Sequence, residues 1–140
     1  MIELITGEKG SGKTKMLMAK ASNDSKVTGI HILYLDINSK HIDELDDLVR
    51  LINISEYNIR TTDMFLGFLY GIISQNPNID RIFMDNFSSI AGAEDSESTE
   101  NVIRQISDIS DQFEIDFVIG LSQSRETLSP YLSEMVSISL

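Results

Sequence analysis

The chain has no cysteine among its 140 residues, few basic side chains and no long apolar run, and each shortage removes a class of function. Without thiols there are no disulfides, no thiolate metal sites and no cysteine nucleophile. The apolar stretches fall far short of the roughly twenty residues that a membrane-spanning helix needs, so no membrane insertion is expected. Met1-Ile2-Glu3 leads straight into an apolar run with no basic segment ahead of it, and the expectation is a cytoplasmic protein, not a secreted one. Eleven Lys and Arg against 22 Asp and Glu leave a net charge of -11. That balance opposes condensation onto a phosphate backbone and argues against DNA or RNA as the principal partner. The length and the 41 % hydrophobic content suit one packed core, so residues 1–140 are read as a single domain.

What is present begins at residue 7. Gly7-Glu8-Lys9-Gly10-Ser11-Gly12-Lys13-Thr14 is a complete G-x-x-x-x-G-K-[ST] phosphate loop, preceded by the apolar run Ile2 to Thr6 and followed by the helix-compatible run Lys15 to Ala21. Such a loop turns successive backbone N–H groups toward one point, adds the positive end of a helix, and makes a site for a nucleotide's polyphosphate. At ordinary residue frequencies the four fixed positions match by accident in about one chain of this length in two hundred, and the strand-before, helix-after context lowers that further. Gly7 to Thr14 together with Lys15 are therefore the candidate nucleotide-binding residues, and the Lys13 ammonium is the candidate counter-cation and catalytic group. Four of the six lysines, Lys9, Lys13, Lys15 and Lys20, cluster here as a local positive island, although Lys15 and Lys20 read better as solvated helix positions.

Along the chain, short apolar runs alternate with longer amphipathic ones, the pattern of parallel strands joined by crossover helices. Strands are expected at Ile2 to Thr6, Ile30 to Leu35, Ile79 to Asp85, Asp116 to Leu121 and Met135 to Leu140, with a minor extra strand over Val49 to Ile54. In the last of the five, Val136, Ile138 and Leu140 alternate as if facing one core. A short acidic helix is expected over His41 to Leu48, a helix apolar on nearly every face and buried against the sheet over Met64 to Ser74 behind the cap residues Thr61-Thr62-Asp63, and a one-sided helix near Ser98 to Phe113. Ala91 to Thr99 reads as a polar acidic loop long enough to move.

Ile82-Phe83-Met84-Asp85 is an apolar strand ending in an acid, and at the carboxyl edge of an open α/β sheet that acid would lie beside the phosphate loop. Asp85 is the candidate Mg²⁺ ligand through water, with the Thr14 hydroxyl as the direct one.

With Gly7 to Thr14 as Walker A and Ile82 to Asp85 as Walker B, the chain resembles the P-loop NTPases over its whole length. The strand between the two motifs resembles the RecA-like and AAA-like branch. That resemblance implies an α/β, three-layer αβα fold with a mostly parallel five-stranded sheet in the order 5-1-4-3-2, and Mg²⁺ and ATP as cofactors. The chain is also similar to a small bacterial group sometimes labelled twitching-motility ATPase-like, but it has no room for the second domain of pilus-retraction motors. Many members of the branch follow the Walker B acid with a catalytic Glu; this chain has Asn86. An amide orients water but cannot take its proton, so the candidate base is Asp36, at the end of the second strand where RecA-like proteins place a carboxylate. Glu94, Asp95 and Glu97 are weaker candidates, and Asp36 reads equally as a turn-forming acid. Ser122 and Gln123 resemble the polar sensor that ends the fourth strand. Arg125 and Arg104 are candidate arginine fingers, or solvated surface residues.

The guanine-reading N-K-x-D motif is absent and Asp85-Asn86-Phe87-Ser88 lacks the glycine of the D-x-x-G switch, which favours ATP over GTP. The signature lysine of the MinD-like loop belongs where Glu8 stands, so that subclass is disfavoured; His31 and His41 share no metal-ligand spacing. The leading expectation is an ATP-binding, Mg²⁺-dependent NTPase of low or partner-dependent rate, acting as a switch or as a subunit of a homo-oligomer or larger assembly. The alternatives are a small-molecule kinase with Asp36 as base, and a non-hydrolysing nucleotide-sensing interaction module.

Overall fold

Six short apolar runs become strands, and the computed structural model, which describes residues 1–140, joins them in one all-parallel sheet. The strands are β1 (Ile2–Thr6), β2 (Ile32–Asp36), β3 (Val49–Asn53), β4 (Arg81–Met84), β5 (Asp116–Leu121) and β6 (Val136–Ser139). Five α-helices lie among them: α1 (Lys13–Thr28), α2 (Thr62–Gln75), α3 (Phe87–Ala91), α4 (Ser96–Phe113) and α5 (Pro130–Ser133). Because successive side chains of a strand point to opposite faces, each inner strand feeds two cores. Ile82 and Met84 of β4 enter the larger core under α2, α3 and α4, whereas Phe83 enters the smaller one under α1 with Leu17, Met18 and Ala21. Helices therefore cover both faces, an arrangement compatible with three αβα layers. No helix is long and apolar enough to cross a membrane.

The sheet order is β3-β2-β4-β5-β1-β6, which differs in strand count and order from the five strands in 5-1-4-3-2 order that the family resemblance implies. The minor extra run is a full strand: β3 pairs with β2 from Ile32 against Val49 to Asp36 against Asn53. The helix expected over His41 to Leu48 is only a 3₁₀ turn at Ile42–Glu44. Asp46 explains the stop, because its carboxylate accepts from the Leu48 N–H at 3.0 Å and its carbonyl from the Val49 N–H at 2.9 Å, which turns the chain into β3.

Helix α2 packs against the sheet as expected, and two further expectations are corrected. Helix α2 is capped by the Thr61 hydroxyl, which accepts from the Met64 N–H at 3.1 Å, and buries Phe65, Leu66, Leu69, Ile72 and Ile73 against the sheet. Its opposite face is open, with Met64 46 % and Tyr70 45 % exposed, since one apolar stripe is enough to seat it. The supposed mobile loop over Ala91 to Thr99 is mostly helix. Gly92, at φ 63, closes α3, and the Asp95 carboxylate caps α4 by accepting from the Ser98 N–H at 2.7 Å, leaving only residues 92–95 between them. In β6 the alternation does not face one core. The register shifts between Leu4 and Ile5, so Val136 joins the larger core, Ile138 the smaller, and Leu140 stays exposed.

Leu69 is fully buried at the centre of α2's sheet-facing stripe. Leu69→Ala is expected to lower the unfolding free energy by about 2–5 kcal/mol in urea denaturation, the range for a buried leucine that leaves a cavity; a loss below about 1 kcal/mol would contradict this packing.

Candidate functional site

All six strands point the same way, so their carboxyl ends gather polar residues at one edge. There β1 runs into the loop at residues 7–12, β2 ends in Asp36, β4 is followed by Asp85 and Asn86, and β5 by Ser122 and Gln123. A cleft of about 870 Å³ opens along this edge. Its walls are the loop and the start of α1 on one side and the segment after β2, with Asn38, Lys40, His41 and Glu44, on the other.

The loop is held at both ends. The Gly7 N–H donates to the Leu121 carbonyl of β5 at 3.2 Å, and the Ser11 N–H closes a turn on the Glu8 carbonyl at 3.0 Å. Space is tight at Gly7, where a Cβ would lie 2.5 Å from Ser11 Oγ. Gly12 takes φ 99, a left-handed conformation that turns the chain into the first residue of α1. That residue is Lys13. Its ammonium, only 9 % exposed as a residue, lies across the loop and donates to the carbonyls of Gly7 at 2.8 Å and Glu8 at 3.2 Å. Burial lowers its pKa, and the nearby Asp85 charge opposes that.

Asp85 and Asp36 are each 2 % exposed. The Thr14 hydroxyl donates to Asp85 Oδ2 at 2.7 Å, and the Asn86 N–H donates to Asp85 Oδ1 at 2.8 Å. From beneath, the Tyr34 hydroxyl approaches Asp85 Oδ2 at 3.4 Å, with its ring stacked on Phe83 at 6.1 Å between centroids. Burial and then the two aspartates raise the phenol's pKa, so it remains a neutral donor. Asp36 Oδ1 accepts from the Ile37 N–H at 2.7 Å and from Asn86 Nδ2 at 2.8 Å. Burial raises the Asp36 pKa; these two hydrogen bonds pull it back, and the Asp85 charge adds to the rise.

Of the residues singled out by sequence, the cleft gathers Lys9, Gly10, Gly12, Lys13, Thr14 and Lys15 from the loop and helix, and Asp36, Asp85 and Ser122 from the strand ends. Gly7, Glu8 and Ser11 shape the loop without lining the cleft, and the Glu8 side chain faces solvent. Gln123 is not in the cleft; with Ser122 and Glu94 it borders a separate cavity of about 110 Å³, where its Oε1 has no partner. Asp95 is occupied as the α4 cap. Arg104 is tied to Glu100 at 3.0 Å and lies 3.8 Å over the Tyr131 ring, while Arg125 is exposed and in no ion pair. His41 lines the cleft and is paired with Glu44. Sequence reading passed over Tyr34 and Lys40. Tyr34 was within reach, since residues 34 and 36 of one strand share a face. A pairing fifty residues apart such as Asp36 with Asn86 leaves no local signal.

Chemically, the cleft joins the Lys13 ammonium and the loop residues Lys9, Gly10 and Gly12, suited to an anion, to two carboxylates that would repel one unless a cation intervened. No group of three or more His, Asp and Glu side chains is placed to hold a metal by itself. A hydroxyl and a carboxylate 2.7 Å apart at an open cleft nevertheless fit Mg²⁺, a hard cation that keeps several of its waters and takes one or two protein oxygens. Neither a scan of protein-family models nor a search of curated proteins finds a match to this chain.

Asp36 titrates above its ordinary range, so its ionised form costs folding energy. That cost is absent below the unfolded-state pKa near 3.8, grows as the pH rises toward the folded value and is complete above it. Asp36→Asn, which keeps an oxygen to accept from Ile37 and Asn86, is therefore expected to stabilise the protein near neutral pH, with the gain vanishing toward pH 3. Thermal melts of both proteins across pH 3–8 measure it, and a gain that grows on acidification would contradict the assignment.

Proposed function

We propose that this protein is a P-loop NTPase that binds ATP with Mg²⁺ and hydrolyses it slowly, as a switch or as one subunit of an assembly. The observation that carries the reading is the Lys13 ammonium held over a loop that turns at left-handed Gly12, opposite the Thr14–Asp85 pair. The ammonium's present acceptors are only carbonyls, and a β- or γ-phosphate oxygen would be a stronger, charge-assisted acceptor. Thr14 and Asp85 would hold Mg²⁺, which supplies charge neutralisation at the phosphates.

Asp36 would accept a proton from the attacking water. The water oxygen bonds to the γ-phosphorus as the bond to the bridging oxygen of ADP breaks, and phosphate and ADP leave. Its raised pKa suits that task, because a general base works best when its pKa lies nearer the working pH. Ser122 is the sensor candidate that lines the cleft, and unpaired Arg125 is the arginine better placed to serve a neighbouring subunit.

A second reading has one observation in its favour. The cleft continues past Asp36 into a polar stretch with Asn38, Lys40 and His41, room that hydrolysis does not require. A phosphoryl acceptor seated there would make the protein a small-molecule kinase, and phosphate transfer to an added hydroxyl compound faster than release to water would select that reading.

Lys13→Ala is expected to weaken ATP binding by at least about a hundredfold in isothermal calorimetry, the loss of a charge-assisted contact of about 3 kcal/mol; unchanged affinity would refute the phosphate role. Asp85→Asn is expected to weaken Mg²⁺·ATP far more than ATP in EDTA. Equal weakening of the two would remove Asp85 from the metal site.

A further inference from the structure

Asn86 stands where many members of the resembled branch place a catalytic glutamate, and its geometry gives it a different task. It adopts φ 53 and ψ 47, a left-handed conformation that asparagine tolerates better than most residues. It is also the N-cap of α3, a position where an asparagine ordinarily turns its side chain back to a helix N–H. Here it makes no such cap. The side chain is committed instead to Asp36 Oδ1, through Nδ2 at 2.8 Å, while the backbone N–H is committed to Asp85 Oδ1 at the same distance. A carboxylate only accepts, so the amide nitrogen must face it.

This leaves the two oxygens of Asp36 in unequal states. Oδ1 takes two hydrogen bonds, from Asn86 and from the Ile37 N–H. Oδ2 takes none, and it is not among the sealed, unpartnered polar atoms of the interior. Asp36 borders the cleft, so Oδ2 is the oxygen open to it.

We propose that Asn86 is the positioning residue for Asp36: it pins one carboxylate oxygen and presents the other to the cleft as the proton acceptor. The same residue ties this carboxylate to Asp85, so that the base from β2 and the metal-side acid after β4 share one fixed spacing. This rests on the ATPase reading above. The forgone cap and the left-handed backbone are what the position gives up for that bridge.

Asn86→Gly isolates the amide, because glycine keeps the left-handed backbone and the N–H to Asp85 without strain. In single-turnover assays with protein in excess over γ-labelled ATP, Asn86→Gly is expected to slow phosphate release about tenfold or more. Its affinity for Mg²⁺ with a non-hydrolysable ATP analogue should stay within about threefold of wild type, and the Asp36→Asn/Asn86→Gly double variant should be no slower than Asp36→Asn alone, as for residues acting through one group. Wild-type turnover in Asn86→Gly, or losses that multiply in the double variant, overturn the proposal alone. Wild-type protein that binds no analogue, or releases no phosphate in a single turnover, fails the ATPase reading and takes the proposal with it. A measurement on the intact protein guards against a variant that fails to fold. The Asn86 side-chain amide protons should exchange with water more slowly by NMR than those of Asn38, Asn53 and Asn58, whose side chains only accept, and lose that protection in Asp36→Ala. Fast exchange in the wild type would overturn the bridge itself.

Discussion

A buried lysine ammonium that shares one cleft with two buried carboxylates is the constraint around which this molecule is organised. Lys13, Asp36 and Asp85 come from α1, the end of β2 and the residue after β4, and none is more than 9 % exposed. Charges withdrawn from water are costly unless each finds partners. Here every one is given hydrogen bonds: loop carbonyls for the ammonium, and the Thr14 hydroxyl, the Asn86 amide and N–H and the Ile37 N–H for the carboxylates. The charges are thus compensated well enough to fold, and under the proposed reading a ligand would supply stronger partners.

The parallel sheet is what brings the three together. In an antiparallel sheet the carboxyl ends of neighbouring strands fall on opposite edges; with every strand running the same way they fall on one. The two apolar faces then only have to be covered, by α1 on one side and by α2, α3 and α4 on the other. The edge stays free for polar groups. That division explains why charged residues collect at the strand ends although the strand interiors are almost wholly apolar.

Much of this was legible along the chain, because it is written locally. The glycine-rich loop, the apolar runs of β1, β2, β4 and β5 and the stripe Val102, Ile103, Ile106, Ile109 of α4 each carry their own periodicity or turn chemistry. The misses share a cause. α3 spans only Phe87–Ala91, and the split of Val136 and Ile138 between two cores follows from a register shift against β1. Neither has a signature within its own few residues. In the candidate site, Lys13, Thr14 and Asp85 were readable as motif positions. The exclusion of Gln123 from the cleft and the bond from Asn86 to Asp36 depend on how distant segments meet.

The central claim is that the loop amides before α1 grip a triphosphate around Lys13. Titrating ¹⁵N-labelled protein with Mg²⁺·ATP and following its backbone amide resonances tests it most directly. The claim requires the largest shifts at Gly10, Gly12, Lys13 and Thr14, saturating together. Shifts absent there, or confined to another face of the protein, would contradict it.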